Sequence, residues 1–563
     1  MNDTLSYVSG NTEVPLRSQT IGQALDEIAQ EYGDRPALVV KHQNIKWSYQ
    51  ELNEQVDKFA AGLLSLGLQV GDRVGVWAPN CAEWIIAQYA TARAGIIQVN
   101  INPAYRVHEL EYVLNKVGCK ALITADQFKS SDYIEMLYSL APELKSSRPG
   151  SLKSEKLPQL STLIRMGEEH SDGFLNFYDV TAKATEEDYE KLAVVAKTLK
   201  PDDAINIQFT SGTTGSPKGA TLSHNNILNN AFFCGEAMKY SEEDLVCIPV
   251  PLYHCFGMVM GSLNCMTHAA CMVFPNDGFD PESTLRAIDE EKCTSLYGVP
   301  TMFIAELDHP QFTNYDMSSL RTGCMAGASC PIEVMKKVFD EMNMSEVTIA
   351  YGMTETSPVS FQSSTDDPME KRVSTVGRVH PHVEVKIINE NGETVQRGEK
   401  GEFCTRGYCV MRGYWGDDER TAEAIDEGGW MHTGDLAILD DEGYCNIVGR
   451  VKDMVIRGGE NVYPREIEEF LYTNEKIQDV SVFGVPDDKY GEEICAWVKL
   501  KSGSVSSEEE IRGFCKEKIA HYKVPRYIRF VEDFPMTVTG KIQKFIMRDK
   551  MKEELGIQEQ QTA

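Results

Sequence analysis

The sequence predicts an α/β protein made of several folding units, and three features of the chain lead to that prediction. A chain of 563 residues is too long for one compact hydrophobic core. Over the first 200 residues, helical patterns alternate with short apolar runs, which is typical of βαβ units on a mostly parallel sheet. After Arg450 the pattern changes to a compact α+β unit. We therefore expect an N-terminal domain over 1–450 and a C-terminal domain over 451–563.

The N-terminal domain begins with helical patterns over 21–32 and 49–67. Short apolar runs follow, among them RVGVWAP and ALITA, and we predict them to be buried strands. The Ser/Lys/Pro-rich segment 144–160 has the composition of a surface loop. Because the alternation then resumes and continues to about residue 390, the domain should contain two sheet-and-helix subdomains.

Residues of about 383–449 carry a different pattern, with short alternating strands and turn signals such as NENGE and DDEGY. This pattern predicts a small β-rich subdomain at the end of the N-terminal domain. Beyond it, helical patterns over 464–474 and 507–519 are interleaved with the apolar runs DVSVFGVP, ICAWVKL and YIRFVE. The complete prediction is a large α/β N-terminal domain of two sheet-and-helix subdomains plus a β-rich subdomain, followed by a small α+β C-terminal domain.

The formal net charge of −30 argues against a surface that binds nucleic acid. The balance reverses between 512 and 550, where ten basic residues stand against four acidic ones. From charge alone, such a stretch fits a place where phosphates bind and equally a solvated helix face. The basic residues are Arg512, Lys516, Lys518, Lys523, Arg526, Arg529, Lys541, Lys544, Arg548 and Lys550.

Targeting signals and cysteine spacing indicate in which cellular compartment the protein is expected. No apolar run approaches the roughly 18 residues needed to span a bilayer. The N-terminal segment has neither an apolar core nor an Arg-rich amphipathic pattern, so we predict no secretory signal, no transit peptide and a cytoplasmic location. The fifteen cysteines are scattered without a CxxC pair, and Cys404 and Cys409 are too far apart for half of a zinc site. We expect reduced, buried thiols.

The strongest local motif is the loop 210–219, TSGTTGSPKG, which follows the apolar run AINIQF and precedes a helix start at Ser223. Its small residues let backbone N–H groups approach phosphate oxygens, and its hydroxyls and lysine add donors and charge. It is not a Walker A loop, because Pro217 precedes the lysine and Gly219 follows it. The candidate phosphate-binding residues are Thr210, Ser211, Gly212, Thr213, Thr214, Gly215 and Lys218.

This loop resembles the signature of the adenylate-forming superfamily, which contains acyl-CoA synthetases, adenylation domains of peptide synthetases and luciferases. Further segments agree with that superfamily in type and order, and the resemblance covers roughly residues 20–550. It implies an enzyme whose substrates and cofactors are a carboxylic acid, ATP, Mg²⁺ and coenzyme A, and it is compatible with a homodimer. The matching segments are GASCP at 327–331, YGMTET at 351–356, WMHTGD at 430–435, GRVKD at 449–453, GGEN at 458–461 and PMTVTGK at 535–541.

The resemblance implies which residues bind the nucleoside of ATP. Tyr351 would stack its aromatic face on adenine, next to a pocket wall formed by Gly327 and Ala328. Asp435 would accept hydrogen bonds from both ribose hydroxyls, and Arg450 would provide a second ribose contact.

The resemblance also implies the catalytic residues. Thr354 would donate to the α-phosphate, and Glu355 would hold Mg²⁺, a hard cation that prefers oxygen ligands. Lys541 would bridge the substrate carboxylate and the α-phosphate, two anions that must approach each other. By its local sequence alone, Lys541 could equally be a surface lysine in a turn.

In the superfamily the C-terminal domain is mobile, and the resemblance implies the same movement here. One closure would present Lys541 to ATP. The domain would then rotate about Lys452 as the hinge and present Gly458, Gly459 and Glu460 to the channel for coenzyme A.

The acyl pocket is expected in segments 251–266, 298–303 and 324–327, which are apolar, rich in methionine and free of basic residues. Such a lining suits an alkyl chain better than a dicarboxylate. Acetate-specific relatives carry tryptophan where this chain has a glycine at 352, so the glycine either opens space for a longer chain or is needed by the turn. The candidate pocket residues are His254, Met258, Val299, Met325 and Gly352.

Together these features predict a ligase that joins a medium- to long-chain fatty acid to coenzyme A through an acyl adenylate. His254 replaces the aspartate that binds the ammonium group in amino-acid-activating relatives, which argues against an amino acid substrate. A ligase for aryl or short branched acids shares every motif and remains an alternative. Less favoured are a fatty acyl-AMP ligase that lacks the coenzyme A step and a non-catalytic acyl or nucleotide sensor.

Overall fold

The computed structural model describes residues 4–210, 217–328, 330–457, 460–487, 489–516 and 518–556. Within this part of the chain, four sheets of five or more strands form the framework, and helices cover the larger ones. The predicted α/β class is confirmed. No helix of the described residues combines the length and apolar character needed to cross a bilayer.

The first sheet has eight strands. The first six in spatial order are parallel, and each of the last two is antiparallel to the strand before it. Its apolar interior strands are buried, as expected of strands covered on both faces. In spatial order the strands are Leu175–Asn176, Thr162–Arg165, Ala121–Thr124, Arg73–Trp77, Ile97–Asn100, Ala204–Thr210, Lys218–Ser223 and Gly413–Tyr414.

The second sheet has nine strands, with six parallel strands at its centre and antiparallel strands at both edges. Segments from the N-terminal region complete one edge, so the two predicted subdomains interleave along the chain. In spatial order the strands are Arg378–Val379, Val359–Gln362, Glu346–Gly352, Thr322–Ala326, Ser295–Gly298, Leu245–Cys247, Cys271–Phe274, Pro36–Val40 and Ile45–Ser48.

The third sheet is antiparallel throughout and corresponds to the predicted β-rich subdomain. Its last strand ends at Arg450, and the next strand in the chain, starting at Val455, belongs to another sheet. The domain boundary near 450 stays a prediction. In spatial order the strands are Tyr7–Ser9, Val383–Ile388, Lys400–Gly407, Met431–Leu439 and Cys445–Arg450.

The C-terminal sheet consists of four antiparallel strands and one strand added in parallel. Its two long strands cover the predicted runs DVSVFGVP and ICAWVKL. A separate two-stranded ribbon, Gln127–Phe128 with Ser131–Asp132, lies outside the four sheets. The strands of the C-terminal sheet are Glu460–Val462, Val455–Arg457, Gly491–Leu500, Ile477–Asp487 and Tyr527–Phe530.

Helices connect most of the parallel strands. The segment Phe256–Leu263 is a π-helix, and short 3₁₀ turns lie at Lys41–Gln43, Pro142–Ser146, Phe312–Asn314, Thr354–Thr356, Val451–Asp453 and His521–Lys523. The α-helices are Ile21–Tyr32, Tyr49–Ser65, Ala82–Arg93, Val107–Val117, Tyr133–Leu140, Phe177–Ala182, Glu186–Ala196, His224–Met238, Asn264–Thr267, Pro281–Glu291, Pro300–Leu307, Ile332–Glu341, Met369–Ser374, Asp418–Ala424, Pro464–Tyr472, Glu508–Cys515 and Lys544–Leu555.

Capping residues fix where the best-predicted helices begin. The helix Ile21–Tyr32 starts after Thr20, whose hydroxyl accepts a hydrogen bond from the backbone of Gln23, while the Gln23 side chain accepts from the Thr20 backbone. Ser48 and Glu51 form the same reciprocal capping box at Tyr49–Ser65. Such a box satisfies two N–H groups that the first helical turn leaves unpaired. The sequence therefore sets these helix starts locally.

The phosphate-loop motif connects two antiparallel strands rather than a strand and a helix. Lys218–Ser223 forms a strand that the sequence analysis did not predict, and Thr210 and Lys218 are direct neighbours across the hairpin. The helix expected after Ser223 begins at His224, with Ser223 as its N-cap. The geometry thus differs from a strand–loop–helix phosphate site, although the helix start was predicted correctly.

All fifteen cysteines are buried and unpaired, as predicted. Most belong to the apolar cores on either side of the second sheet or in the C-terminal domain. They behave as small apolar side chains in these cores.

Glu306 is the one glutamate of helix Pro300–Leu307 and is almost completely buried, at 1% exposure. Neither carboxyl oxygen has a hydrogen-bond partner among the described residues. Burial raises the pKa of Glu306 well above its usual value, so the folded protein keeps this carboxyl protonated. The unfolded chain loses the proton at lower pH, and stability is therefore lost as pH rises above the unfolded pKa.

We expect Glu306→Gln to stabilise the protein by about 1–3 kcal/mol, with a larger gain at pH 8 than at pH 5, because glutamine removes the ionisation but keeps the shape. Thermal unfolding at the two pH values measures this. Glu341→Gln, an exposed site on a neighbouring helix, is the control. A gain that is equal at both pH values would contradict the account.

Candidate active site

Three of the residues predicted to bind the nucleoside lie at the carboxyl ends of two adjacent parallel strands of the second sheet. Gly327 and Ala328 follow strand Thr322–Ala326, and Tyr351 lies near the end of Glu346–Gly352. Gly327 adopts φ +83°, a left-handed conformation that favours glycine. This edge is where open α/β sheets bind ligands.

Tyr351, Asp435 and Arg450 form one hydrogen-bonded cluster. The Tyr351 hydroxyl donates to Asp435 Oδ2 at 2.7 Å, and Arg450 Nε donates to Asp435 Oδ1 at 2.9 Å. Asp435 and Arg450 are cross-strand partners in the third sheet. Burial raises the pKa of Tyr351, and the Asp435 carboxylate raises it further, so the phenol remains a donor. The cluster fixes the Asp435 carboxylate from two sides before any nucleotide binds.

Glu355 lies in the 3₁₀ turn Thr354–Thr356, next to the phosphate-loop hairpin. Its Oε1 accepts hydrogen bonds from Thr210 Oγ1 at 3.3 Å and from the Tyr414 hydroxyl at 2.9 Å. No other described residue donates to the carboxylate, so Oε2 stays available for another partner. A buried carboxylate with one oxygen held and one available fits a hard cation such as Mg²⁺.

Tyr414 is a functional candidate that the sequence analysis missed. It lies on the edge strand Gly413–Tyr414, which pairs with the hairpin strand Lys218–Ser223. Lys218 Nζ lies 3.5 Å from its hydroxyl and 4.6 Å from the centre of its ring. The tyrosine thus connects the lysine of the phosphate loop with Glu355. The segment GYCVMRGYWGD contains no spacing that would have predicted this contact.

We expect Tyr414→Phe to raise the Mg²⁺ concentration needed for half-maximal adenylation about 10-fold, because removing a hydrogen bond to a metal-binding carboxylate typically weakens metal binding 10- to 100-fold. Titrating Mg²⁺ at saturating ATP measures the effect. Tyr444→Phe is a matched control, since Tyr444 donates to the buried Asp367 at 2.7 Å. If both variants required more Mg²⁺, the positioning role of Tyr414 would be wrong.

Lys541 lies in a tight turn of the C-terminal domain. Its backbone N–H donates to Thr537 Oγ1 at 3.1 Å. The charge of Arg450 lowers its pKa to about 8, burial adds to the decrease, and Asp435 acts in the opposite direction. The Lys541 side chain is exposed, and the charges of Arg450 and Asp435 in the ribose cluster act on its ammonium group.

Contacts between the C-terminal domain and the second sheet hold Lys541 in this position. Thr301 Oγ1 donates to the carbonyl of Gly540 at 3.3 Å, and a Cβ on Gly540 would lie 2.9 Å from Val299. Farther out, Gln478 Nε2 donates to Asp308 at 2.6 Å. The turn that carries Lys541 thus fits closely against the start of helix Pro300–Leu307.

Most of the basic residues between 512 and 550 form ion pairs within the C-terminal domain. Six of the ten pair with nearby carboxylates, which favours the solvated-face interpretation over a general phosphate surface. The pairs are Arg512–Glu508, Lys523–Glu466, Arg526–Asp487, Arg529–Glu554, Lys544–Glu468 and Arg548–Glu492.

Two of the predicted acyl-pocket residues belong to one core, and His254 lies just before the π-helix that carries Met258. Met258 and Val299 are buried in the core that lies between the two large sheets. His254 begins the turn before the π-helix, and its Nδ1 accepts from the Phe256 N–H at 3.2 Å. Burial lowers the pKa of His254 to about 4, and Lys541 contributes in the same direction. His254 is thus neutral at physiological pH and lies within electrostatic range of Lys541.

Met325 was predicted to line the same pocket, and its role there stays a prediction. Met325 belongs to the core on the opposite face of the sheet, whereas Cys324 and Ala326 share the core with Met258. Because side chains alternate along a strand, the run CMAG does not present one continuous face.

The glycine at 352 is needed by the backbone. A Cβ on Gly352 would lie 1.7 Å from the carbonyl oxygen of Pro358. This distance favours the second of the two explanations given above, that the turn requires glycine.

The structure describes only some of the remaining predicted site residues. Ser211, Gly212, Thr213, Thr214 and Gly215 lie outside the described residues, as do Gly458 and Gly459. Glu460 is exposed at the start of strand Glu460–Val462, and Lys452 is exposed in the turn Val451–Asp453. Their roles stay predictions.

Comparison with known proteins identifies the family. The AMP-binding enzyme family matches residues 25–415, and the AMP-binding enzyme C-terminal domain matches residues 466–541. The chain is 48% identical over 558 residues to the medium-chain acyl-CoA ligase ACSF2, mitochondrial, of Bos taurus, which covers 98% of this chain and 91% of that protein.

Two further proteins agree with this assignment. The putative acyl-CoA synthetase YngI of Bacillus subtilis (strain 168) is 48% identical over 547 residues, which covers 97% of this chain and 100% of that protein. The crystal structure of the anthranilate CoA ligase AuaEII in complex with anthranoyl-AMP superposes with a TM-score of 0.85 at 25% identity, over 97% of this chain and 99% of the other. The chain therefore belongs to the AMP-binding enzymes, the adenylate-forming family that its motifs resemble.

Proposed function

We propose that the protein is a medium-chain fatty acid–CoA ligase. Its substrates would be ATP, a carboxylic acid and coenzyme A, and its products AMP, pyrophosphate and an acyl-CoA thioester. The observation that carries the proposal is the position of Lys541, where the charges of Arg450 and Asp435 act on its pKa and its own charge lowers the pKa of His254. A cation at this position is what the joining of a carboxylate to a phosphate requires.

In the first half-reaction, a carboxylate oxygen attacks the α-phosphorus of ATP and the bond to pyrophosphate breaks. Lys541 would hold the two anions together and stabilise the charge that develops on the phosphoryl oxygens. Asp435 and Arg450 would fix the ribose, and Glu355 would hold Mg²⁺. Bound Mg²⁺ supplies charge neutralisation at the phosphates.

In the second half-reaction, the sulfur of coenzyme A attacks the acyl carbon and AMP leaves, while the thiol proton passes to solvent. The protein supplies no nucleophile. We infer that the C-terminal domain rotates about Lys452 between the half-reactions and brings Glu460, with Gly458 and Gly459, to the coenzyme A channel. The contacts of Gly540 with Thr301 and Val299 would be broken in that rotation.

The polar side chains around Met258 support a medium rather than a long chain. Met258 Sδ lies 3.3 Å from Asn100 Nδ2 and 3.7 Å from Gln208 Nε2. Behind it, Gln88 Nε2 donates to the carbonyl of Met258 at 3.4 Å. An alkyl chain that extended past Met258 would place hydrocarbon against these amide groups, which is unfavourable.

The test is AMP release by the purified protein with ATP, Mg²⁺ and coenzyme A across acetate, butyrate, octanoate, palmitate, benzoate and anthranilate. We expect a maximum of kcat/KM at octanoate and a clear decrease at palmitate. A maximum at an aryl acid would move the assignment to the aryl alternative, which the likeness to the anthranilate CoA ligase structure favours. Acid-dependent release of pyrophosphate with accumulation of the acyl adenylate, and no release of AMP when coenzyme A is added, would indicate an acyl-AMP ligase.

Gly352→Ala separates the two explanations for the glycine. Because the new Cβ would collide with the Pro358 backbone, we expect a loss of at least 10-fold in kcat/KM for every acid and a lower melting temperature. The chain-length profile should keep its shape. A selective loss with octanoate but not with butyrate would instead support a role in making space.

Location and oligomeric state stay predictions. The cytoplasmic location rests on the N-terminal sequence alone, and the bovine relative is named as mitochondrial. Cell fractionation and light scattering of the purified protein would test the location and the expected homodimer.

A further inference from the structure

A cluster of three metal-ligating side chains lies on the third sheet, apart from the substrates. Glu402 and Cys404 are on one face of strand Lys400–Gly407, and His432 is the cross-strand partner of Cys404 on the adjacent strand. The nearest ligand atoms of all three residues lie within 4.8 Å of one another. We propose that Glu402, Cys404 and His432 form a binding site for a Zn²⁺-like divalent cation.

Two distances within the cluster match the edges of a tetrahedral zinc site. His432 Nδ1 lies 3.5 Å from Cys404 Sγ and 3.3 Å from Glu402 Oε2. In a tetrahedral zinc site with usual bond lengths, the sulfur–nitrogen and nitrogen–oxygen edges are about 3.6 and about 3.4 Å. An ion among the three ligands, with water in the fourth position, therefore fits both distances.

The surroundings of His432 supply the second feature of such sites. Its other nitrogen, Nε2, lies 3.5 Å from Asp426 Oδ2. A carboxylate on the far nitrogen typically orients a metal-binding histidine and raises its basicity. The cations nearby, Lys386 and Arg406, lie over the ring of Trp430, at 4.4 and 4.5 Å from its centre, and not among the ligands. His432 and Glu402 are 31% and 27% exposed, so an ion can enter from solvent.

The site is connected to the ribose cluster through Glu402. Its Oε1 accepts a hydrogen bond from the Gly434 N–H at 3.0 Å, and Gly434 precedes Asp435. On binding, the Cys404 sulfur exchanges its proton for the metal, and the proton passes to solvent. A metal bound to Oε2 would pull the carboxylate that holds the backbone next to Asp435. Zinc should consequently raise the KM for ATP without occupying the nucleotide site.

The test is titration of the full-length, reduced protein with Co²⁺, which gives an intense thiolate-to-metal absorption band when cysteine is a ligand. We expect one equivalent of Co²⁺ to produce the band and Zn²⁺ to remove it. Cys404→Ser should abolish the band, while His432→Gln and Asp426→Asn should weaken binding at least 10-fold. His432 and Asp426 are partly exposed, so these two variants are expected to fold.

Cys495→Ser is the control, because Cys495 is an equally buried cysteine on a strand of the C-terminal sheet. Its band should equal that of the unmodified protein. Absence of a thiolate band, or a band that persists in Cys404→Ser, would overturn the proposal. Binding that is unchanged in His432→Gln would do so as well.

Discussion

Replacing Lys541 with alanine is expected to slow acid-dependent pyrophosphate release by about 10²–10³-fold. Removing one group that stabilises transition-state charge typically costs about 3–4 kcal/mol, which is that factor in rate. The thioester half-reaction, started from a synthetic acyl adenylate and coenzyme A, should change by less than about threefold, because its attacking group is the coenzyme A sulfur. Pyrophosphate release and thioester formation are measured separately.

Lys550→Ala is the control for Lys541, since Lys550 is an exposed lysine of the final helix. It should leave both half-reactions unchanged. An equal loss of both half-reactions in Lys541→Ala would show that the variant disturbs the domain rather than the adenylation step.

The pH dependence of the first half-reaction gives a second test of Lys541. The pKa of about 8 in the free enzyme means that the ammonium is charged below pH 8 and loses its charge above it. Because kcat/KM reports the free enzyme, adenylation should decline as pH rises above about 8. Lys541→Arg retains its charge at any such pH and should remove the decline, whatever its absolute rate.

Glu355→Gln is expected to lower adenylation about 10²-fold at saturating ATP, and added Mg²⁺ should restore little of it. Glutamine keeps an oxygen that can accept from Tyr414 and Thr210, so the local fold is preserved while the negative charge is lost. The loss therefore reports the metal ligand and not the hydrogen bonds. Pyrophosphate release over a range of Mg²⁺ concentrations measures it.

Glu370→Gln, at an exposed carboxylate of helix Met369–Ser374, is the control for Glu355. It should keep the Mg²⁺ dependence of the unmodified protein. Wild-type Mg²⁺ dependence in Glu355→Gln would assign the metal to other residues.

The parts of the fold that were predicted well are those that local sequence specifies. The helix Ile21–Tyr32 has the bounds of its periodic pattern because Thr20 and Gln23 cap it. The strand Lys218–Ser223 was missed because its partner, Ala204–Thr210, precedes it across a loop of small residues that carries no hairpin signal. Strand pairing across such a loop depends on tertiary contacts, which a single segment does not contain.

The candidate site also contains residues that local motifs indicate and residues that only tertiary contacts bring together. Asp435, Glu355 and Lys541 lie in motifs that preserve order along the chain, so the resemblance located them. Tyr414 was not found, because its relation to Glu355 arises only when the edge strand pairs with the hairpin. The Glu402–Cys404–His432 cluster was not predicted for a related reason. Its ligands come from two strands, and cysteine spacing along one segment cannot reveal such a cluster.

The hairpin at the base of the phosphate loop has a consequence for how this enzyme can vary. Thr210 and Lys218 are direct neighbours on the two strands of the hairpin. Thr210 contacts Glu355, the expected Mg²⁺ ligand, and Lys218 contacts Tyr414. Deleting one residue from either strand would turn every following side chain to the opposite face of the sheet. Insertions and deletions should therefore be excluded from both strands, Ala204–Thr210 and Lys218–Ser223.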